Sequence, residues 1–151
     1  MRIYMDSRCC NRLFDDPSQE RVRQEALAVQ VILEQVLAGE LTLISGDFLQ
    51  LELQRGRDLN RRLSCLAFLR QAEIHVRQSD ELLQCAKRLE PLGSKEMDAA
   101  HVVGAAVGAA NIFLTVDDEL LRKGRRILQI VGVPIAPPVR WLGEMRQGGE
   151  P

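Results

Sequence analysis

Aromatic residues are scarce in this 151-residue chain, at 4% of the sequence. Proteins that read single-stranded nucleic acids by sequence stack the bases on aromatic side chains, so this composition does not support such readout. No run approaches the roughly 20 apolar residues that a membrane-spanning helix needs. The chain enters a strand pattern without a basic segment and an apolar segment before it, so we expect no signal peptide and a cytoplasmic location.

Thiol and imidazole ligands for zinc are also few. The four cysteines include no Cys-x-x-Cys pair and the chain has two histidines, which argues against a structural zinc site. Cys9 and Cys10 are adjacent, but in a cytoplasmic chain we expect reduced thiols rather than a disulfide. The formal net charge of −1 argues against a general nucleic-acid coat protein, but a nuclease with an acidic pocket is compatible with it.

What the chain does have is the composition of one globular domain, with 46% hydrophobic and 27% charged residues. We expect a single domain over residues 1–146 and a frayed tail over 147–151. Short apolar runs predict strands at residues 2–5, 41–45, 73–76, 112–116 and 133–136. The fourth is the most apolar and is expected to be central, whereas Pro134 either places the last at a sheet edge or denies it strand status.

In the segments between these strands, apolar residues recur at helical spacing. The predicted helices span residues 19–38, 47–55, 58 or 60 to 70, 79–89, 95–110, 119–131 and 139–145. Strands that alternate with helices predict an α/β protein, a three-layer α/β/α sandwich with a mostly parallel central sheet. The helix at 95–110, with Ser94 as a predicted cap, is rich in Ala and Gly and should lie close to its neighbours. Each Gly costs about 1 kcal/mol of helix propensity relative to Ala, so packing must compensate.

Four acidic residues occupy positions where they could meet. Asp6 and Asp117 each follow a predicted strand, and Glu52 and Asp98 lie on helices beside the sheet. In open α/β sheets, ligands bind in the crevice outside the carboxyl ends of the strands. Carboxylate oxygens suit Mg²⁺ and Mn²⁺, and nucleases use such ions to activate water and stabilise the leaving oxygen. The pattern therefore predicts a metal-dependent nuclease.

With these residues, the chain resembles the PIN-domain family over nearly its whole length. The segments that match in order and spacing are 3–6, the helix with Glu52, 97–103, 113–121 and 138–142. Within the family, Cys9-Cys10-Asn11-Arg12 and the segment 14–19 are similar to a mostly uncharacterised bacterial and archaeal subgroup.

The resemblance implies a PIN-like fold, a Mg²⁺ or Mn²⁺ pocket and endoribonuclease activity, often as the toxin of a toxin–antitoxin pair. The family's metal-binding and catalytic roles carry over to Asp6, Glu52, Asp98 and Asp117. Thr115 is implied as a pocket hydroxyl, and Ser7 stands where the family often has Asn. The implied partners are RNA, a second copy of the chain in a homodimer, and an antitoxin protein that covers the acidic groove.

Some assignments stay open at this point. Asp118 competes with Asp117, since either could cap the following helix; we prefer Asp117 and keep Asp118 as an additional ligand. Asp47 competes with Glu52. His101 lies one helical turn after Asp98, and we interpret it as a packed histidine rather than a general base, because metal-bound water can supply the nucleophile.

Two arginine-rich clusters could contact phosphates, although charge runs are usually solvated surfaces. They contain Arg55, Arg57, Arg61 and Arg62 in the first, and Arg122, Lys123, Arg125 and Arg126 in the second. The alternative function is a catalytically inactive PIN-like domain that binds RNA or protein. A phospho-acceptor domain is disfavoured, because Ser7 rather than a second acid follows Asp6 and no Lys follows the last strand.

Overall fold

The computed structural model describes residues 1–92 and 96–148, without the side chains at positions 92, 96 and 97. A parallel sheet forms its centre. The strands are β1 (Arg2–Met5), β2 (Thr42–Gly46), β3 (Ile74–Val76), β4 (Ile112–Leu114) and β5 (Ile135–Ala136). They are arranged in the order β3-β2-β1-β4-β5, and every pairing is parallel. All carboxyl ends therefore lie at one edge of the sheet.

Helices cover both faces of this sheet. In the described ranges they are α1 (Ser7–Asn11), α2 (Glu20–Leu37), α3 (Asp47–Gln54), α4 (Leu59–Leu69), α5 (Asp80–Lys87), α6 (Glu96–Val107), α7 (Asp118–Arg122), α8 (Gly124–Val131) and α9 (Pro138–Gly148). Helix α2 packs against α9, α3 against α4, and α5 against α6. The result is the predicted three-layer α/β/α sandwich.

The sheet itself is the core of the domain. Ile3, Tyr4 and Met5 of β1 are buried, as are Phe113 and Leu114 of β4. The expectation that the fourth strand is central is wrong: β1 is central, and β4 lies between β1 and β5. A strand covered on both faces is apolar throughout, so apolarity alone does not give its position in the sheet. The expectation for Pro134 is confirmed, because β5 is an edge strand.

Helix α6 ends very close to the sheet, as its small residues predicted. At Gly108, just after the helix, a Cβ atom would lie 3.0 Å from Ile44 Cγ2 and 3.2 Å from Val76 Cγ2. A side chain at this position would require those of Ile44 and Val76 to shift by a few tenths of an ångström, so its absence allows the close approach. The predicted cap Ser94 lies outside the described residues.

Two helices near the carboxyl terminus differ from the prediction. The single helix expected at 119–131 is divided into α7 and α8 at Lys123, where Gly124 approaches Ile135 of β5. The last helix begins with Pro138 and continues through Gly148, into the segment that was expected to fray. Proline is well suited to the first turn of a helix, where no backbone donor is required.

The thiols of this chain are reduced and mostly buried. The four cysteines, all within the described ranges, are free, as expected, and Cys9, Cys10 and Cys65 are buried. Burial raises the pKa of the Cys9 and Cys10 thiols well above the ordinary value, so they are poor nucleophiles.

Of the helices in the described ranges, none combines the length and the apolar character that spanning a bilayer requires.

Candidate functional site

Asp6 lies immediately after β1 and is 3% exposed. Its carboxylate caps α1 by accepting a hydrogen bond from the Cys9 N–H (3.0 Å), and it accepts another from the Thr115 hydroxyl (2.5 Å). Thr115 follows β4, so this contact joins the carboxyl ends of two adjacent strands. Burial raises the pKa of Asp6, although the hydrogen bonds from Thr115 and Cys9 act in the opposite direction.

Glu52 reaches the same edge from α3. One of its oxygens accepts a hydrogen bond from the Ser7 hydroxyl, and the other contacts His101 Nε2. Burial alone would raise the pKa of Glu52, but the hydrogen bonds from His101 and Ser7 outweigh it and lower the pKa. Glu52 is therefore held as a carboxylate by two side chains from different elements.

Arg8 forms salt bridges with both of the remaining predicted acids, Asp98 and Asp117. Its Nη1 atom lies 2.9 Å from Asp117 Oδ2 and 3.5 Å from Asp98 Oδ1. Burial opposes the charge on Arg8, but the carboxylates around it, first Asp98 and Asp117, outweigh burial and raise the pKa of the guanidinium. Asp117 also caps α7 through the Glu119 N–H, at 3.0 Å. Asp98 and Asp117 thus face one common point, at which a positive charge lies.

The two competing acids point elsewhere. Asp118 is exposed and pairs with Arg21, whose hydrogen bond lowers the pKa of Asp118. Asp47 contacts His75 Nε2 at 2.7 Å and the Gln78 N–H at 2.8 Å. The structure therefore brings Asp117 rather than Asp118 to the set, and Glu52 rather than Asp47.

The oxygen ligands of this set suit a hard divalent cation such as Mg²⁺ or Mn²⁺. Their present arrangement is not a preformed ion cage: within residues 1–92 and 96–148, no three His, Cys, Asp or Glu side chains are placed to hold one ion. Arg8 supplies the positive charge between Asp98 and Asp117 instead. The donor chemistry fits such an ion, and Arg8 occupies two of the carboxylates that would hold it.

A basic cleft of about 580 Å³ lies next to the acids and shares Arg8 with them. Asn11, Arg12, Arg57 and Arg61 also line it. Arg61 pairs with Asp15 at 2.8 Å, whereas Arg62 of the same predicted cluster donates to backbone carbonyls. Of the first arginine cluster, Arg57 and Arg61 therefore belong to the surface beside the site.

The second arginine cluster lies on a different surface. Arg122, Arg125 and Arg126 line a separate cleft of about 650 Å³ together with Arg140. Lys123 lies 4.0 Å from Glu119. Neither Arg8 nor any of the four acids borders this second cleft.

Sequence reasoning missed Arg8 and Tyr4. Arg8 comes two residues after Asp6, and a lone cation beside a predicted acidic set was the available signal. Tyr4 gave none, because its partner His101 is 97 positions away in the chain. The interpretation of His101 as a packed histidine is confirmed, since it is 2% exposed and hydrogen-bonded at both ring nitrogens.

Comparison with known proteins supports the fold. No family model matches the chain, and no curated protein matches it in sequence. The chain is similar to a solved structure described as VapBC2 from Rickettsia felis bound to a DNA fragment from their promoter. The TM-score is 0.56 at 12% identity, over 91% of this chain and 98% of that one. At this identity the likeness shows a PIN-like fold and not an activity.

Proposed function

We propose that this protein is a Mg²⁺- or Mn²⁺-dependent endoribonuclease and that Asp6, Glu52, Asp98 and Asp117 hold the ion. The observation that carries the proposal is a set of contacts near the carboxyl ends of β1 and β4, in which Thr115 bonds Asp6, Ser7 bonds Glu52, and Arg8 contacts both Asp98 and Asp117. Four carboxylates beside one guanidinium leave an excess of negative charge. Such an excess is unfavourable unless a cation balances it.

The residues of the site have distinct roles in this proposal. The Cys9 N–H and the Thr115 hydroxyl fix the Asp6 carboxylate, while Ser7 and His101 fix that of Glu52. Groups held in this way lose little freedom when a ligand binds. When bound, the ion supplies Lewis-acid chemistry at the scissile phosphate. Arg8 contacts one oxygen each of Asp98 and Asp117, so a cation that binds the same oxygens would displace it.

The basic cleft suggests where the nucleic acid lies. Guanidinium groups suit phosphate oxygens, and Arg57 and Arg61 line the cleft that borders Arg8. A phosphodiester chain in this cleft would place one phosphate near the acids. The choice of RNA over DNA rests on the resemblance to PIN domains.

We further propose that the protein acts as a toxin, forms a homodimer and is covered by an antitoxin protein. The similarity to a VapBC2 complex supports this proposal at the level of the fold. Induced expression in a bacterial host should slow growth, and Asp98→Asn should remove the effect. Normal growth at confirmed expression of the active protein would argue against a toxin.

The central test is cleavage of single-stranded RNA of mixed sequence, with a DNA strand of the same sequence in parallel. The protein should cut the RNA with Mn²⁺ and be inactive with a chelator. Asp6→Asn and Asp98→Asn should each lower the rate about a thousandfold, which corresponds to about 4 kcal/mol of transition-state stabilisation.

Asp118→Asn is the matched control, because Asp118 is adjacent to the site in sequence but pairs outward with Arg21. It should cut at the wild-type rate. Metal-independent cleavage, or full activity in both site variants, would contradict the proposal. Binding of RNA without cleavage would favour the inactive domain instead.

A further inference from the structure

His101 lies at the centre of a chain of hydrogen bonds that joins strand β1 to helices α1, α3 and α6. Tyr4 Oη, from β1, lies 2.7 Å from His101 Nδ1. His101 Nε2 contacts one oxygen of Glu52, and Ser7 donates to the other. His101 is 2% exposed and Tyr4 is 1% exposed, so the bond between these two side chains is shielded from water.

The contacts define which ring nitrogen of His101 carries the proton. The Tyr4 hydroxyl carries one hydrogen that it can donate. Within the described ranges, His101 Nδ1 is the hydrogen-bond partner of that hydroxyl, and the buried hydrogen is used in this contact when Nδ1 accepts it. The proton of a neutral imidazole then lies on Nε2, which donates it to Glu52.

We propose that His101 is a positioning residue for Glu52 and that Tyr4 sets its tautomer. Helix α6 then contributes two groups to the site, the Asp98 carboxylate and, one turn later, the donor that aims a carboxylate from α3. Without the Tyr4 hydroxyl, the ring could place its proton on Nδ1 and turn a lone pair toward the carboxylate. The inference rests on the proposed function, in which Glu52 binds the ion.

Four variants test this arrangement. Tyr4→Phe removes one hydroxyl and keeps the ring that stacks on Phe113, with centroids 5.2 Å apart. His101→Leu removes the donor, and His101→Gln restores an N–H group that can reach Glu52. His75→Gln is the control, because His75 also contacts a carboxylate, that of Asp47, but in an exposed position.

The readouts are the ring nitrogen chemical shifts of His101 at neutral pH and the dissociation constant for Mn²⁺ by calorimetry. The wild type should show the Nε2–H tautomer, and Tyr4→Phe should show a mixture. Mn²⁺ affinity should fall about tenfold in Tyr4→Phe and about a hundredfold in His101→Leu, the range for groups that orient metal ligands. His101→Gln should recover most of it, and His75→Gln should match the wild type.

The outcomes separate the two proposals. A wild-type protein that binds Mn²⁺ and has the Nδ1–H tautomer, or that keeps its affinity in His101→Leu, would overturn the positioning role alone. A wild type that does not bind Mn²⁺ would overturn the metal site and this inference together. If His101→Leu does not fold, the Mn²⁺ affinity of Tyr4→Phe and the tautomer of the wild type still test the positioning role, because neither measurement requires a substitution of His101.

Discussion

Two groups of carboxylates in this molecule are stabilised in opposite ways. The outer group is paired with arginines: Glu25 with Arg12 at 3.0 Å, Asp118 with Arg21 at 2.7 Å, and Asp15 with Arg61 at 2.8 Å. Three carboxylates and three guanidiniums balance, although Glu25 is buried at 4% exposure. Because each of these acids is paired with an arginine, the outer group has no net negative charge with which to bind a cation.

The inner group is held mainly by neutral donors. A backbone N–H, two hydroxyls and a histidine bond Asp6 and Glu52, and Arg8 is the cation that contacts the remaining two acids. Neutral donors orient a carboxylate without cancelling its charge. The contrast separates acids that are neutralised by arginine from acids that keep an excess of negative charge.

The outer group should show the largest effect on stability. Glu25→Gln removes the buried carboxylate that pairs with both Arg12 and Arg21, while Asp15 and Asp118 remain as their partners, and we expect the free energy of unfolding to fall by about 2 kcal/mol. Urea denaturation at neutral pH would measure it. Glu34→Gln, an exposed site on the same helix, should change it by less than about 0.5 kcal/mol. Equal effects at both positions would remove the distinction between the groups.

Arg8→Gln should strengthen cation binding by the inner group. Loss of the guanidinium frees Asp98 and Asp117, and we expect Mn²⁺ affinity to rise about tenfold, or about 1.4 kcal/mol. Calorimetry would measure the change, with Arg146→Gln on α9 as a charge-matched control. Weaker binding in Arg8→Gln would show that Arg8 supports the ion instead of competing with it.

Asp6→Asn should stabilise the metal-free protein at neutral pH, on the order of 1 kcal/mol, because a buried charge is removed. Burial raises the pKa of Asp6 in the folded state. Its contribution to stability is therefore fully present below the unfolded pKa, near 3.8, and is lost as the pH rises through the folded value. Urea midpoints across this range should depend less on pH in Asp6→Asn. A lower midpoint at neutral pH would contradict the expected cost of the charge.

Local patterns predicted most of the fold. The predicted helix starts lie at Asp58 or Asn60 and at Ser79 or Asp80, and the structure has Asp58 and Ser79 as the caps of α4 and α5, accepting from the Arg61 and Leu82 N–H groups at 3.1 Å each. Such caps depend on residues three positions apart, which the sequence displays directly. The position of β1 at the centre of the sheet depends instead on packing across the whole chain, and apolarity did not reveal it.

The candidate site was predictable in its acids and not in their partners. Strand ends and helix faces pointed to Asp6 and Glu52, but the contact of Glu52 with His101 joins residues 49 positions apart. Glu25 illustrates the same limit, since it lies on the buried side of α2 and nothing local indicates that Arg12 meets it. Long-range polar partners follow from the fold and are not visible in spacing.

The edges of the sheet bear on how copies of this protein can meet. Edge strand β5 has two residues and follows Pro134, and the opposite edge strand, β3, has three. Strands this short offer an incoming chain few free backbone groups with which to extend the sheet. Growth into a continuous sheet across molecules is therefore disfavoured even at high concentration. An ordered contact between two copies would have to use the helical faces.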